Sequence, residues 1–493
     1  MQLKHLLFIA LTSFLFGCKK ILDVQPRDQF TSANLFATKE GFYSAATGIY
    51  DELASTSLYG RAMTYEMIDI MAKRYAVNPG NAVYVSYNQQ NYFIGGGSMD
   101  QVWSKAYFLI LSGNILMDHI RRQEGILTTD ESNILRGEML AARAFLHFDL
   151  LRLYGPRWEN NASTVSIPYN EKPTAERLPL LSFETIIGKV IRDLDEAEVL
   201  LAKDPVINQG PLASAPDPFQ SVQLRYRQFR LNYFSTIALK ARVYLYAGKK
   251  TEALTTAKRL LADQNLHQHF PAVNPTALLN NQVDPDRVFS SEVLMGIYLK
   301  TRDTVFNNTF NFATAPALNY LKPYPQFLER LFAFGGSTGA KEYEDYRYKS
   351  QWEPSPAGGH MFTKYKPITQ PGVDIELFYS RMIPLIRLSE VYYIAAESEP
   401  NPADGFAWLN QMRPRRGLAP IDPAQYNTLA AQFPTLLANE YLREFYGEGQ
   451  AFFFFKRTAF RQHYENGSAF AVSNYSDAAY RLPLPQAEII YHP

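Results

Sequence analysis

Residues 231–261 read LNYFSTIALKARVYLYAGKKTEALTTAKRLL. Within them Ala238, Ala241, Tyr244, Gly248, Ala253 and Ala257 put small side chains where two antiparallel helices would touch, with glycine left for the turn. The stretch predicts a helical hairpin, Leu231–Ala247 and Thr251–Leu261. The same pattern extends outward in both directions. Helices are expected over Met99–Arg122 and Asp130–Tyr154; in the second, Leu135, Met139, Ala142, Leu146, Leu150 and Leu153 follow at spacings of three and four, and Gly155-Pro156 ends it. Thr38-Lys39-Glu40 opens an earlier helix to about Leu53, striped by Phe42, Ala45, Ala46, Ile49, Tyr50 and Leu53. Toward the C-terminus, helices are expected at Pro384–Ser398, Ala403–Met412 and Leu429–Phe445. The fold class is therefore mostly α, a scaffold of helical hairpins.

Two regions break the period. Around residues 76–98 Asn, Gly, Tyr and Gln take over, closing with Gly95-Gly96-Gly97-Ser98, which predicts a loop of more than twenty residues. Loops that long inside compact domains are usually functional or disordered. Residues 265–380 are rich in Pro, Asn, Gly and aromatics, with short strand-like runs such as Val288-Phe289-Ser290 to Ile297-Tyr298-Leu299. The tail from Leu482-Pro483-Leu484-Pro485 to Pro493 reads as extended.

The 493 residues carry 49 Lys+Arg against 48 Asp+Glu, so 49 − 48 gives a net charge of +1. That balance, with no run of five or more like charges, argues against nucleic acid as a partner, since phosphate neutralisation needs a basic surplus or stripe. Aromatics reach 14%, a composition suited to ligand surfaces as well as to cores. The single cysteine, Cys18, excludes an internal disulfide and a cysteine-based metal site. It follows Lys4 and the mostly apolar run Leu6–Phe16. Those residues would span only about 16 Å as a helix, too short for a hydrocarbon core of roughly 30 Å. The run reads as a signal peptide, residues 1–17. Leu15-Phe16-Gly17-Cys18 resembles a lipoprotein signal, which would leave a mature chain lipidated at Cys18, palmitate among its acyl chains, on a tether of residues 18–38. No later run is long and apolar enough to span a bilayer.

Enzyme motifs are missing. There is no phosphate-binding Gly-x-x-x-x-Gly-Lys loop, no dinucleotide fingerprint and no Gly-x-Ser-x-Gly elbow. His267-Gln268-His269 could set two imidazoles on one side of a strand, yet zinc wants three or four convergent ligands. Glu342, Glu344 and Asp345 lack the fixed offsets of a calcium loop and read as a solvated acidic face. Arg387, Glu390 and Glu397 stand on an otherwise apolar helix, where ion pairing accounts for them. The reading assigns no catalytic residue, no metal and no cofactor.

Several segments, in order along nearly the whole chain, are similar to the SusD/RagB family of surface lipoproteins. They run from Cys18-Lys19-Lys20-Ile21-Leu22-Asp23 and Lys39-Glu40-Gly41-Phe42, through Trp103-x-x-Ala106-Tyr107 and Gly137-Glu138, to Ala142-Arg143-Ala144-Phe145. Ala241-Arg242-Val243-Tyr244-Leu245 with Gly248 resembles a tetratricopeptide unit, although no clean 34-residue period repeats it and a simple hairpin has the same local structure. Arg387-Leu388-Ser389-Glu390, Tyr446-Gly447-Glu448-Gly449 and Leu482-Pro483-Leu484-Pro485-Gln486 complete the likeness. The resemblance implies a tetratricopeptide-like scaffold with an irregular region carrying the ligand groove. It divides the chain into an N-terminal helical part, 39–264, and a C-terminal part, 265–493, with an irregular insertion at 265–380. It also implies a non-enzymatic role: an outer-membrane protein, lipid-anchored and facing the exterior, that catches an oligosaccharide or a peptide and hands it to a SusC-like TonB-dependent transporter.

Sugar capture needs ring faces for pyranose C–H groups and polar side chains for hydroxyls. The candidates are Tyr84, Tyr87, Asn88 and Tyr92 in the expected loop, Lys73 and Arg74 just before it, and Tyr320, Tyr324 and Trp352 in the irregular region. Tyr107 and Tyr244 are expected to pack. The rival reading, a tetratricopeptide-type scaffold binding only proteins, expects Tyr84, Tyr87 and Trp352 to be buried.

Overall fold

The computed structural model describes residues 32–123, 125–159, 161–211, 224–279, 284–324, 328, 331–332, 344–356, 358–368, 380–459, 462–463, 471–472 and 477–491. Cys18, the signal peptide and most of the tether lie outside them. The hairpin expected at 231–261 forms as Tyr233–Tyr246 and Lys250–Leu261. Asn232 starts it with a reciprocal cap: its Oδ1 accepts from the Ser235 backbone at 2.9 Å, while Ser235 Oγ accepts from the Asn232 backbone at 2.9 Å. Gly248 turns it with φ +72°, and a Cβ there would sit 2.1 Å from the Trp158 ring, so conformation and space both require glycine.

Helix stacks on helix outward from this hairpin. Tyr92–Arg122 packs on Thr129–Tyr154, which packs on Phe183–Leu200; Tyr233–Tyr246 joins that layer, and Lys250–Leu261 carries it to Leu388–Ser398 and on to Pro402–Met412. Thr128 with Glu131 forms a capping box, and Asn401 with Pro402 starts the last of these as the sequence grammar asks. One continuous apolar core runs from Phe36 to Leu482.

Charge is buried alongside it. Arg143 meets Asp193 at 2.6 Å, Arg227 meets Asp204 at 2.7 Å, and Arg242 meets Glu390 at 2.6 Å, each tying one helix to another segment. Glu397 pairs with Arg457, and Arg387 reaches Glu444 at 3.0 Å and Glu448 at 2.9 Å. The charges of the 387–397 segment are thus structural pairs, all made to other elements.

Strands occur among the described residues as two-stranded antiparallel pairs. Val293–Tyr298 pairs with Met382–Arg387, Trp352–Pro354 with His360–Phe362, and Tyr75–Ala76 with Lys322–Pro323. Several local expectations need correction. The helix expected from Pro384 begins only at Leu388, because residues 382–387 pair as a strand. His267 and His269 stand on a helix, Gln264–His269, capped by Asp263, not on a strand. Leu429–Phe445 is broken by a 3-10 turn before Phe433–Glu444, where Pro434 sits in the first turn. The tail is not wholly extended, since Gln486–Tyr491 is helical.

The largest correction falls on 76–98. Asn81 caps a short helix, Ala82–Gln89, accepting from the Tyr84 backbone at 3.1 Å, and Gln90 ends it at φ 56°. The long helix then starts at Tyr92 and passes through the glycine run. Glycine weakens a helix by about 1 kcal/mol per residue, a cost that packing along the rest of a long helix outweighs.

Candidate functional site

Lys73 takes the left-handed conformation, φ 57°, just past the helix Met67–Met71 and reverses the chain. Arg74 is then drawn inside, its Nη2 donating to the Leu442 carbonyl and its guanidinium lying 4.4 Å over the Tyr446 ring. Strand Tyr75–Ala76 pairs with Lys322–Pro323, Tyr75 opposite Pro323. That pairing brings two segments more than two hundred residues apart onto one face. Asn78 Nδ2 donates to the Ala317 carbonyl at 3.0 Å, and Asn81 Nδ2 donates to the Leu318 carbonyl at 3.1 Å and to Asn319 Oδ1 at 3.3 Å. Phe312 stands 42% exposed there, with the half-buried Tyr320 ring 5.8 Å away, edge to face. Exposed Leu318 and Asn319 complete the surface.

The sequence-predicted residues are gathered around this face, but most of them lie beneath it. Tyr84 and Tyr87 are buried; the Tyr84 hydroxyl donates to Glu66 Oε2 at 2.9 Å, and burial pushes its ionisation up. Trp352 is buried edge-on to Tyr446 at 4.7 Å, and Tyr324 is buried at the end of its strand. A ring with under a tenth of its surface accessible offers no face to a sugar, so these four serve as packing in this structure. Lys73 Nζ donates to the Asn88 carbonyl, which ties those two half-buried residues to each other. Tyr92 donates to the Ala479 carbonyl and packs on the core. Of the nine ligand candidates Tyr320 is the half-buried ring that lies beside the exposed Phe312 and Asn319.

Asn78 and Asn81 belong to the polar–aromatic mixture that sequence reasoning read in the 76–98 segment, whereas Phe312, Leu318 and Asn319 were not singled out by it. A signal for them exists: Asn and aromatics alternate in Asn307, Asn308, Phe310, Asn311, Phe312, Asn319 and Tyr320. Asn311 side-chain contacts to Asn307 at 3.2 Å and to the Ala313 backbone at 3.1 Å hold this turn. Of the acidic cluster, Glu344 pairs with Lys349, Asp345 is fully buried against Arg347 at 2.6 Å, and Glu342 lies outside the described residues. Among the described residues no group of three or more His, Cys, Asp or Glu side chains could hold a metal ion. No described helix is long and apolar enough to cross a membrane.

An amide-rich surface with an exposed ring can bind hydroxylated ligands through planar hydrogen bonds and C–H contact to the ring. Comparison with known proteins agrees with a binding fold. The profile described as SusD family matches residues 295–492, and one described as "Starch-binding associating with outer membrane" matches residues 20–215. No curated protein sequence matches the chain. The structure is similar to a SusD superfamily protein of Bacteroides thetaiotaomicron VPI-5482, with 20% identity, TM-score 0.67, and 92% of this chain and 98% of that chain covered. It is similar to a SusD-like carbohydrate binding protein of Bacteroides vulgatus ATCC 8482, with 19% identity, TM-score 0.67, and coverage of 92% and 96%. A laminarin binding SusD-like protein aligns at 16% identity and TM-score 0.58, with 86% and 92% covered. At these identities the structural likeness speaks for the fold.

Proposed function

The chain belongs to the SusD/RagB family, and on that premise we propose that it is a carbohydrate-binding protein without enzymatic turnover. Its ligand sits on the face where residues 78–81 meet 312–320. From there the oligosaccharide passes to a SusC-like TonB-dependent transporter, with the protein held at the outer membrane, facing outward, by lipid on Cys18. The observation that carries the reading is the exposed Phe312 ring beside Tyr320, in a segment that the Asn78 and Asn81 amides tie down at Ala317, Leu318 and Asn319. A pyranose laid on Phe312 keeps its C–H groups on the ring while its hydroxyls turn to polar groups of the same segment. The laminarin-binding neighbour and the starch-binding description support glycan as the ligand class.

The test is calorimetric titration of the chain with a panel of neutral oligosaccharides, together with a peptide pool and chromatography of the sugars afterwards. Saturable glycan binding without shortened products is expected, weakened roughly tenfold, about 1.4 kcal/mol, by Phe312→Ala. Glycan cleavage, or binding indifferent to Phe312, sinks the proposal. One observation favours the protein-only scaffold reading, namely that Tyr84, Tyr87 and Trp352 are buried. That reading expects no glycan heat at all, so the same titration separates the two.

A further inference from the structure

A groove of about 650 Å³ opens on the outer side of the helix Tyr92–Arg122 and shares no lining residue with the face above. Residues 103, 104, 107, 108 and 111 fall on one stripe of that helix and form its floor. The wall at 168–178 is pinned to the same helix: Tyr107 Oη donates to the Pro168 carbonyl at 2.8 Å, and Asn114 Nδ2 to the Asn170 and Lys172 carbonyls at 3.1 and 3.0 Å. The helix Gln486–Tyr491 forms the other wall. It follows a segment anchored where the Leu482 backbone donates to the Leu153 carbonyl at 3.0 Å and Arg481 Nε to the Tyr154 carbonyl at 3.1 Å. Both walls therefore rest on the helical scaffold.

The lining has two kinds of chemistry. Phe108 and Tyr491 are 55% and 53% exposed, and among the described residues only Tyr298 and Phe312 are comparably open aromatic rings. Two of the four thus face one groove. At the rim Arg177 lies 4.3 Å over the Tyr491 ring, and the Glu176 and Glu488 carboxylates stand beside it. We propose that this groove is a second glycan site, specific for a neutral oligosaccharide.

The rings give stacking surfaces, the carboxylates accept from sugar hydroxyls, and the guanidinium donates to ring or glycosidic oxygens. Glu176 pairs with Lys172 at 3.1 Å, so two carboxylates stand against two cations and the rim offers no surplus positive charge to hold a uronate or sulfated sugar. The volume lies within the roughly 300–1,000 Å³ of ordinary ligand sites. A fatty chain would strand the rim charges, and an extended peptide would find helix side chains here where strand addition needs an open strand edge. Two sites on one chain would grip separate stretches of one polymer and raise its effective affinity without any new contact. The ligand class leans on the carbohydrate reading above; the site itself does not.

The experiment titrates the full chain with maltoheptaose, laminarihexaose, xylohexaose and an oligogalacturonate of matched length. The wild type is expected to take two equivalents of at least one neutral sugar, and the oligogalacturonate at least tenfold more weakly. Phe108→Ala combined with Tyr491→Ala, two exposed rings whose loss leaves the melting profile unchanged, is expected to reduce this to one equivalent. Phe312→Ala is expected to leave the groove equivalent intact. Retention of two equivalents by the double variant overturns the proposal, as does preference for the oligogalacturonate or no neutral-sugar binding at all. If the double variant loses all binding while Phe312→Ala loses none, the groove stands and the Phe312 face falls.

Discussion

Replacing Glu444 by glutamine is expected to cost about 3–5 kcal/mol of stability. The carboxylate ends the helix Phe433–Glu444 and is fully buried. Its Oε1 accepts from Arg416 Nη2 at 2.6 Å, and its Oε2 from Arg416 Nε at 2.9 Å and Arg347 Nη1 at 3.0 Å. Arg387 Nη2 lies 3.0 Å from Oε1. Each guanidinium has a second acid: Arg416 has Glu292 at 2.6 Å, Arg347 has Asp345 at 2.6 Å, and Arg387 has Glu448 at 2.9 Å. Glutamine keeps the shape and one acceptor, but turns an NH₂ group toward guanidinium donors and removes the one negative charge that all three share, leaving the buried cluster a unit more positive. A typical domain has only about 5–15 kcal/mol of stability, so the loss should be plain in a urea titration followed by circular dichroism.

The same pair of proteins carries a pH test. Burial alone would raise the Glu444 carboxyl, yet the Arg416 and Arg387 charges hold it well below its usual 4.5. The unfolded chain therefore protonates first on acidification. The contribution is complete above about pH 4.5 and is lost as pH falls through the lower folded value. Wild type and variant should differ most at neutral pH and converge in acid. A gap under about 1 kcal/mol at pH 7, or one that widens below pH 4, would refute the argument.

Gly248→Ala must adopt φ +72° with its Cβ 2.1 Å from the Trp158 ring, so strain of about 1–2 kcal/mol and overpacking of about 1–3 kcal/mol add to a clear drop in Tm. Asp69 is raised to about 7, chiefly by burial. Its folded form keeps a proton that the unfolded chain releases near 3.8, so it lowers stability progressively as pH rises from about 4 to 7. Asp69→Asn, whose amide oxygen can still accept from the Gly447 backbone as Oδ2 does at 2.8 Å, should flatten that slope in chemical denaturation at pH 5 and pH 7. Cys18→Ser should abolish palmitate labelling and release the protein from the membrane fraction; retention in that fraction would contradict the lipid tether.

The helical scaffold was legible because its signals are local. Thr38, Thr128, Asn232 and Asn401 announce helix starts, Gly248 and Gly155 announce ends, and stripes of apolar residues recur at 3.6-residue spacing over many turns. The 76–98 segment misled because the eight-residue helix Ala82–Gln89 is too short to show a period, and because glycines inside the next helix imitate a loop. The strand Met382–Arg387 misled for another reason: its partner, Val293–Tyr298, lies about ninety residues away, and a short fully buried apolar run looks alike in helix and strand.

The ligand face shows the limit most plainly. Composition concentrated aromatics and amides in two segments, and those segments do meet. Which ring points outward was decided elsewhere, by the pairing of Tyr75–Ala76 with Lys322–Pro323 and by the buried seats that Glu66 and Tyr446 make for Tyr84 and Trp352. Phe108 looks like any other phenylalanine in the chain text, and the alternation of Asn and aromatics around Phe312 does not say which ring turns outward. Helix ends and stripes depend on neighbours within a few residues, so the order of amino acids determines them. Exposure depends on what arrives from distant parts of the chain, and only the packed structure settles that.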